Sequence, residues 1–207
     1  YITVNPHGGA KKGLNILDQV MPIFNNANAE ITIIETEYAG HARDLARDID
    51  MSGYDGFCCI GGDGTMHEVV NGLMTRSDSL RFPIGFITGG TGNAFMHDLV
   101  CLDPVNAVER IIAGQRRPID ILKCDANGVI HYAFNIVGWG MPTDVNNLAE
   151  KMRWMGNQRY NVASIIEVIR HRKRLAKLEV DDDMIHADFE FIIGCNTIHT
   201  GKGMKMA

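Results

Sequence analysis

The most reactive pattern in this chain is an acid set among glycines. Asp63 lies within Gly61–Thr65, whose order is Gly-Gly-Asp-Gly-Thr, directly after the apolar run 57–60. A glycine loop ahead of a helix binds anions, because backbone N–H groups are free there and no Cβ keeps a phosphate away. Asp63 would repel a phosphate, so we predict a general base or a carboxylate linked to Mg²⁺. The alternative is a structural glycine turn held by an Asx hydrogen bond.

Two further glycine loops follow strand-like runs. Asn5–Gly9 comes after residues 1–4, and Gly89–Asn93 comes after the apolar run that begins at Phe82. In a parallel sheet such loops gather at the carboxyl edge of the strands, where nucleotides bind. Each loop alone is a weak signal, but the three together predict one crevice for a nucleotide polyphosphate.

A parallel sheet is needed to bring these loops together, and the first half of the chain has the pattern of one. Strand-like and helical runs alternate at 1–4, 14–24, 31–36, 41–49, 57–60, 65–73, 82–87 and 104–113. Thr65 and Glu68 form a capping-box pattern at the start of the third helix. We therefore predict an α/β fold with a doubly wound, Rossmann-like parallel sheet over residues 1–118.

Hairpin patterns replace this alternation after residue 118. Strand-like runs flank short turns in two places, at 119–124 and 129–137, and at 175–180 and 185–195. Such runs predict antiparallel pairs. The second turn, 181–183, consists of three aspartates, which we interpret as a solvated turn, with a metal site as the alternative.

The three loop motifs, in this order, resemble those of the diacylglycerol kinase catalytic-domain superfamily of lipid kinases. Segments 41–45, 66–74 and 150–156 are similar in order and spacing to those of its sphingosine kinase branch. The resemblance implies that residues 1–118 form the nucleotide-binding α/β domain. It also implies that residues 119–207 are part of an antiparallel β-sandwich domain with a helical insert, truncated before its closing strands.

The resemblance implies ATP as the nucleotide and Mg²⁺ as its cation, with no metal-ligating residues assigned. Together with the loops, it gives a nucleotide-binding role to Asn5, Pro6, His7, Gly9, Thr36, Gly40, Gly61, Gly62, Gly64, Thr65, Glu68, Gly90, Thr91, Gly92, Arg153 and Arg159. Asp63 would take the proton from a primary hydroxyl, whose oxygen attacks the γ-phosphate. Arg153 and Arg159 are six residues apart, so Gly156 must break the helix if both are to face the phosphates. Ordinary surface arginines are the alternative.

The segment 162–169 has one apolar stripe at helical spacing. Ile165, Ile166 and Ile169 belong to it, and we assign them to the binding of an acyl chain, with ordinary core packing as the alternative. The basic run Arg170–Arg174 follows. It is typical of a solvated helix end or of a contact with anionic headgroups.

One position departs from the sphingosine kinase pattern. Those enzymes carry an Asp-Val-Asp-like pair whose second acid holds the amino group of the sphingoid base, and here the matching residues are Asp144 and Asn146. If the segment is extended, both side chains face the same side, and both are assigned to substrate binding. The resemblance predicts a sphingoid base as the acceptor, and ceramide and diacylglycerol stay open.

Composition excludes several classes of partner. The 207 residues carry a net charge of −5, which gives no electrostatic reason to expect nucleic acid. The sequence contains no apolar run of membrane-spanning length and no signal-like start, so we predict a cytoplasmic protein that takes its lipid at a membrane surface. The five cysteines are predicted to be buried thiols. The oligomeric state stays open.

Two rival functions remain at this point. An NAD kinase or phosphofructokinase-like enzyme would share the Gly-Gly-Asp-Gly loop of residues 61–64. A non-catalytic nucleotide- or lipid-binding module would keep the loops without turnover, although intact Asp63 and Glu68 argue against such decay.

Overall fold

The computed structural model describes residues 1–8, 11–200 and 203–206, and the chain divides into two compact units. The first unit joins Tyr1–Asn135 to the C-terminal segment Cys195–Ala207, and the second is Ile136–Gly194. The predicted domain boundary at residue 118 stays a prediction, since compact units and family domains need not coincide.

The described residues of the first unit form a parallel sheet with the strand order β2-β1-β3-β4. Its elements are β1 Ile2–Val4, α1 Gly13–Asn26, β2 Ile33–Glu35, α2 His41–Asp48, a 3₁₀ turn Met51–Gly53, β3 Phe57–Gly61, α3 Asp63–Met74, β4 Ile84–Thr88, α4 Ala94–Asp98 and α5 Pro104–Ile112. Helix α1 packs with α5, whereas α2 packs with α3. Because β2 and β3 lie on opposite sides of β1, right-handed crossovers place these two helix pairs on opposite faces. The doubly wound parallel sheet is confirmed.

Strand β3 runs through the centre of the core. All five of its residues are buried, and Val69 of α3 and Ile87 of β4 are fully buried near it. A strand covered on both faces needs no polar residues, which explains the continuous apolar run 57–60. The predicted strand is confirmed, and its end places the second glycine loop at the carboxyl edge of the sheet.

A β-hairpin follows the sheet, with strands β5 Leu122–Ala126 and β6 Val129–Ala133. The predicted hairpin is confirmed, but its second strand ends before residue 137. Phe134 is buried instead, and its ring meets that of Phe95 edge to face at 5.0 Å.

The second unit consists of short antiparallel pairs and helices. Its elements are β7 Ile136–Gly140, α6 Met141–Lys151, a 3₁₀ segment Arg153–Gln158, α7 Arg159–Arg170, β8 Arg174–Val180, β9 Asp183–Phe189 and β10 Phe191–Cys195. The C-terminal segment of the first unit adds β11 His199–Thr200 and β12 Met204–Lys205. Strand β8 pairs with β9, and β7 pairs with β10. The antiparallel part of the predicted fold is confirmed.

Two details of the second predicted hairpin are wrong. The predicted strand 185–195 is split at Glu190 into β9 and β10. The turn is also shorter than 181–183, because Asp183 already pairs with Val180. Cys58, Cys59 and Cys101 are buried as predicted. Cys124 is only half-buried, and Cys195 is exposed at the end of β10.

Candidate active site

The second and third glycine loops touch each other through their backbones. A Cβ atom on Gly90 would lie 2.5 Å from the Cα atom of Gly62. The Gly89 N–H donates to the Gly61 carbonyl at 2.7 Å. Because only glycine tolerates this approach, the two loops form one continuous surface beyond the ends of β3 and β4.

Asn5 joins the first loop to the second. Its Nδ2 donates to Thr65 Oγ1 at 3.0 Å, and its Oδ1 accepts the His7 N–H at 3.0 Å. The Asn5 N–H donates to the Ile60 carbonyl at 3.0 Å. The three loops therefore lie side by side at one edge of the sheet. Pro6 and exposed His7 lie in the first loop, whereas Gly9 is outside the described residues.

Asp63 is fixed by one oxygen and unpaired at the other. Its Oδ2 accepts the Ala94 N–H at the start of α4, at 3.0 Å. Its Oδ1 is buried and has no hydrogen-bond partner among the described residues. A buried carboxylate oxygen without a partner is costly, so a proton, a hydroxyl group or a cation at this point would be stabilised.

The capping-box prediction for Thr65 and Glu68 is wrong. Helix α3 begins at Asp63 after Gly62, two residues earlier than predicted, and no side chain caps it. The Thr65 hydroxyl accepts from Asn5 instead. The carboxylate of Asp63 stabilises the helix start through the helix dipole.

The other predicted nucleotide-binding residues of the first unit lie at the same edge of the sheet. Gly64 and Thr91 are exposed, and Glu68 and Gly92 are half-buried. Thr36 follows β2 and is buried, with its N–H donating to the Val4 carbonyl at 2.8 Å. Gly40 precedes α2 with φ 94°. Their contact with a nucleotide stays a prediction.

Asn93 was missed as a candidate for the site's chemistry. It adopts a left-handed conformation, and its Nδ2 donates to the Gly90 carbonyl at 3.0 Å, which closes the third loop. Its Oδ1 is buried and, among the described residues, has no partner. The Gly-Asn pair at a loop end signals a left-handed turn, and that signal was available in the sequence.

Gly156 breaks the helix, as predicted. It has φ 57° and ψ −132° inside the 3₁₀ segment between α6 and α7. Arg159 approaches Glu150 at 3.6 Å, and its guanidinium lies 4.9 Å from the centre of the Tyr160 ring. The side chain of Arg153 lies outside the description. A role for either arginine at the phosphates stays a prediction.

Asp144 and Asn146 do not share a face, which corrects the expectation for an extended segment. Both lie in α6, which begins at Met141 with Pro142 in its first turn. Residues two apart on a helix point about 200° apart. Arg174 Nη2 contacts Asp144 Oδ2 at 2.6 Å, whereas Asn146 is exposed.

The apolar stripe of α7 is largely exposed. Ile165 and Ile169 are 60% and 77% exposed, and Ile166 is half-buried. The buried residues of α7 are Ala163 and Glu167 instead. The alternative of ordinary core packing is therefore wrong for Ile165 and Ile169, and their acyl-chain role stays a prediction.

Nothing in the described residues forms a metal site by itself. No group of three or more histidines, cysteines and acids there could hold an ion. Nor is any described helix both long and apolar enough to cross a membrane.

The fold and the loops define a doubly wound α/β protein whose glycine loops meet at the carboxyl edge of the sheet, an arrangement typical of nucleotide-binding proteins. The profile of the diacylglycerol kinase catalytic domain matches residues 1–124, and that of the YegS C-terminal NAD kinase beta sandwich-like domain matches residues 135–207. The chain belongs to the diacylglycerol kinase catalytic domain family.

Known proteins agree with this assignment. Sphingosine kinase 1 of Arabidopsis thaliana is 35% identical over 179 residues, covering 81% of this chain and 36% of that protein. Ceramide kinase of Homo sapiens is 29% identical over 190 residues, covering 82% of this chain and 35% of that protein. The crystal structure of a diacylglycerol kinase from Bacillus anthracis str. Sterne shares the fold, with TM-score 0.75, 24% identity, and 99% of this chain and 66% of that one covered. The chain thus spans little more than a third of the length of these two curated kinases.

Proposed function

We propose that this protein is an ATP-dependent lipid kinase that transfers the γ-phosphate of ATP to the primary hydroxyl of a lipid. The proposal depends on one observation, which is the hydrogen bonding of the two carboxylate oxygens of Asp63. One of its oxygens is held by the Ala94 N–H, and the other is buried without a partner beside two touching glycine loops. A general base needs such a fixed carboxylate with one free oxygen.

The proton transfer uses the free oxygen. Asp63 Oδ1 takes the hydroxyl proton, the lipid oxygen forms a bond to the γ-phosphorus, and the bond from that phosphorus to the β,γ-bridging oxygen breaks. ADP leaves with the bond electrons. The Ala94 N–H keeps the carboxylate in one orientation throughout, so little reorganisation is needed when charge develops.

The loops would hold the phosphates. We expect backbone N–H groups of these loops to contact phosphate oxygens, because glycines let the phosphates approach the backbone closely. The residues concerned are Gly62, Gly64, Gly90, Thr91 and Gly92. Mg²⁺, when bound with ATP, would offset the negative charge of the phosphates. Since Asp63 Oδ1 is needed as the base, phosphate oxygens and water would supply most of the ligands of this ion, as they do in many Mg²⁺ sites. Arg153 and Arg159 are proposed to stabilise the transferring phosphoryl group.

The relatives support more than one class of lipid as the acceptor. Relatives named sphingosine kinase support the predicted sphingoid base, and the relative named ceramide kinase supports a lipid without a free amine. The exposed isoleucines Ile165 and Ile169 are apolar surface on which an acyl chain could be buried, at about 0.8 kcal/mol per methylene. We propose that the protein meets this lipid at a membrane surface.

The test is transfer of labelled phosphate from ATP to sphingosine, ceramide, diacylglycerol or NAD, each offered separately to the full-length protein and to its Asp63→Asn variant. Asparagine can still accept the Ala94 N–H, so the fold should hold while turnover falls by about 10²–10⁴. Asp18→Asn, at an exposed position of α1, is the matched control and should keep full activity. ATP binding by all three proteins should be similar.

Two outcomes would contradict the proposal. If Asp63→Asn keeps its activity, Asp63 is not the base. If the full-length protein binds ATP without phosphorylating any lipid, the non-catalytic module is the better interpretation, and labelled NAD would point to an NAD kinase.

A further inference from the structure

Helix α4 carries the group that fixes the carboxylate of Asp63. Its first residue is Ala94, whose N–H donates to Asp63 Oδ2 at 3.0 Å. The helix consists of Ala94–Asp98 only, which is little more than one turn. A helix this short is not stable by itself, because its few internal hydrogen bonds do not offset the cost of nucleation. The direction of the Ala94 N–H therefore depends on the contacts that hold α4 from outside.

The end of α4 is held by the C-terminal segment of the same unit. Asp98, the last residue of the helix, accepts the Ile198 N–H at 3.1 Å with Oδ1 and the His199 N–H at 3.2 Å with Oδ2. His199 Nδ1 lies 3.1 Å from Asp98 Oδ1, and the Asp98 side chain is only 13% exposed. Burial alone would raise the pKa of Asp98, but the hydrogen bonds from Ile198 and His199 outweigh it and lower the pKa. Asp98 therefore holds the segment as a carboxylate, whose hydrogen bonds are stronger than those of a neutral group.

The segment that Asp98 holds has anchors of its own. Asn196 Nδ2 donates to the Asp120 carbonyl at 2.8 Å and to the Phe134 carbonyl at 2.9 Å. The Asn196 N–H donates to the Asn135 carbonyl at 2.9 Å. These three bonds do not involve α4, so residues 196–199 can serve as a fixed support for the helix.

The two ends of α4 are held in different ways. Its first three residues are buried, so apolar packing fixes its start. A cleft of about 560 Å³ lies beside its end, lined by Asp98 and Leu99 together with residues of the segments 117–120 and 196–198. Since the peptide groups of a helix are roughly parallel to its axis, the tilt of the axis sets where the Ala94 N–H points. Asp98 supplies the second fixed point that this axis needs.

We propose that Asp98 is a positioning residue of the phosphoryl-transfer site. By binding the segment 196–199 it fixes the end of α4, and the axis of α4 then directs the Ala94 N–H at Asp63 Oδ2. The other oxygen of Asp63, which takes the proton, is thereby kept in one orientation. The inference rests on the proposed function, because the orientation of Asp63 affects turnover only if Asp63 is the base.

The first measurement tests the geometry without using turnover. With isotopically labelled alanine in the full-length protein, nuclear magnetic resonance follows hydrogen exchange at the Ala94 amide, which its bond to Asp63 protects. We expect Asp98→Ala to speed this exchange by about tenfold, because α4 opens locally. The amide of Ala46, a buried residue of α2, is the internal reference and should change less than the Ala94 amide.

Asp103→Ala is the matched control for lost stability. Asp103 caps α5 by accepting the Asn106 N–H at 3.1 Å, so its removal also deletes a bond between a carboxylate and a backbone N–H in the same unit. It should lower the melting temperature and leave the Ala94 amide protected relative to Ala46.

The second measurement asks whether this geometry serves Asp63. Transfer of labelled phosphate to sphingosine, ceramide and diacylglycerol is measured, per folded molecule, for Asp98→Ala, Asp63→Asn and the double variant. Alone, Asp98→Ala should lower kcat by about tenfold and leave KM for ATP within about twofold. In the Asp63→Asn background it should have no further effect, because no carboxylate base is left to position. Asp103→Ala should keep the kcat of the unmodified protein.

The outcomes separate the inference from the proposed function. Unchanged exchange at Ala94 in Asp98→Ala would overturn the inference and leave the lipid kinase intact. A loss of kcat that persists in the Asp63→Asn background would also overturn it, because Asp98 would then act independently of Asp63. If Asp98→Ala does not fold, Asp98→Asn, which keeps one acceptor oxygen, should show both effects at smaller size. No labelled lipid from the unmodified protein would remove the proposed function and the effect on turnover, while the exchange at Ala94 would still decide whether Asp98 orients α4.

Discussion

Gly64 is a glycine that the fold itself does not require, whereas a bound nucleotide would require it. It is the second residue of α3 and is exposed, and nothing lies within 4 Å of a Cβ built there. Gly90, in contrast, is fixed by the backbone of Gly62. A glycine inside a helix costs stability relative to alanine, so the fold alone gives no reason for Gly64. The close approach of a phosphate to this position would give such a reason.

Gly64→Ala should therefore change stability and binding in opposite directions. We expect the free energy of unfolding to rise by up to about 1 kcal/mol, because alanine favours the helix. The dissociation constant of ATP should rise about tenfold, because the methyl group occupies the space proposed for a phosphate. Thermal unfolding and calorimetric titration of the full-length protein measure the two effects.

Gly53→Ala is the matched control for this pair of effects. Gly53 also has open space around its Cβ position, and it lies in the 3₁₀ turn after α2. Its substitution should leave ATP affinity unchanged. Unchanged affinity in Gly64→Ala as well would show that no phosphate approaches Gly64.

At the scale of elements, Asn71 ties helix α3 to the β5–β6 hairpin. Its Nδ2 donates to the Tyr132 carbonyl at 2.8 Å, and its Oδ1 accepts the Tyr132 N–H at 2.9 Å. Because Asn71 is buried, its side chain supplies the hydrogen bonds that the backbone N–H and carbonyl groups of Tyr132 need. The hairpin is held to the helix that carries Asp63.

Asn71→Ala should lower the free energy of unfolding by about 2–3 kcal/mol, because both backbone groups of Tyr132 lose their partner. Denaturant titration measures the loss. Asn15→Ala, at an exposed position of α1, should change stability by less than about 0.5 kcal/mol. A loss in Asn71→Ala no larger than in this control would mean that the hairpin is held by other contacts.

A second link between elements depends on pH. The Arg76 guanidinium donates to the Ala46 and Ile49 carbonyls near the end of α2, and it pairs with Asp78. The hydrogen bonds from Arg76 lower the pKa of Asp78 to about 2. Since the pKa is depressed in the folded state, the stability from this pair is present above about pH 4 and is lost as pH falls toward 2.

Asp78→Asn should remove this part of the acid sensitivity. The drop in melting temperature between pH 7 and pH 3 should be smaller in the variant than in the unmodified protein, whereas Asp18→Asn should keep the full drop. An equal drop in all three proteins would show that the pair does not contribute to the pH dependence.

Across the whole molecule, the sequence predicted what periodicity and loop chemistry determine. The buried strand 57–60, the glycine loops and the break at Gly156 follow from local composition, and the structure contains each of them. The helical state of Asp144 and Asn146 was missed, since a short polar segment has no decisive period. The partners of Asp144 and Asp63 could not be predicted either, because Arg174 and Ala94 are about thirty residues away in sequence and only the fold brings them near.

The cysteines report on the packing of the whole molecule. Burial raises the pKa of Cys58 to about 11 and raises that of Cys59 as well, whereas Cys195 is exposed. The thiolate is the reactive form, so Cys195 should react with a disulfide reagent at pH 8 within minutes, and Cys58 and Cys59 only after unfolding. Cys195→Ser should remove the fast phase and leave the slower labelling of half-buried Cys124 and the phase that appears with denaturant. Fast labelling of Cys58 in the folded protein would mean that β3, and with it the loop that holds Asp63, opens without global unfolding.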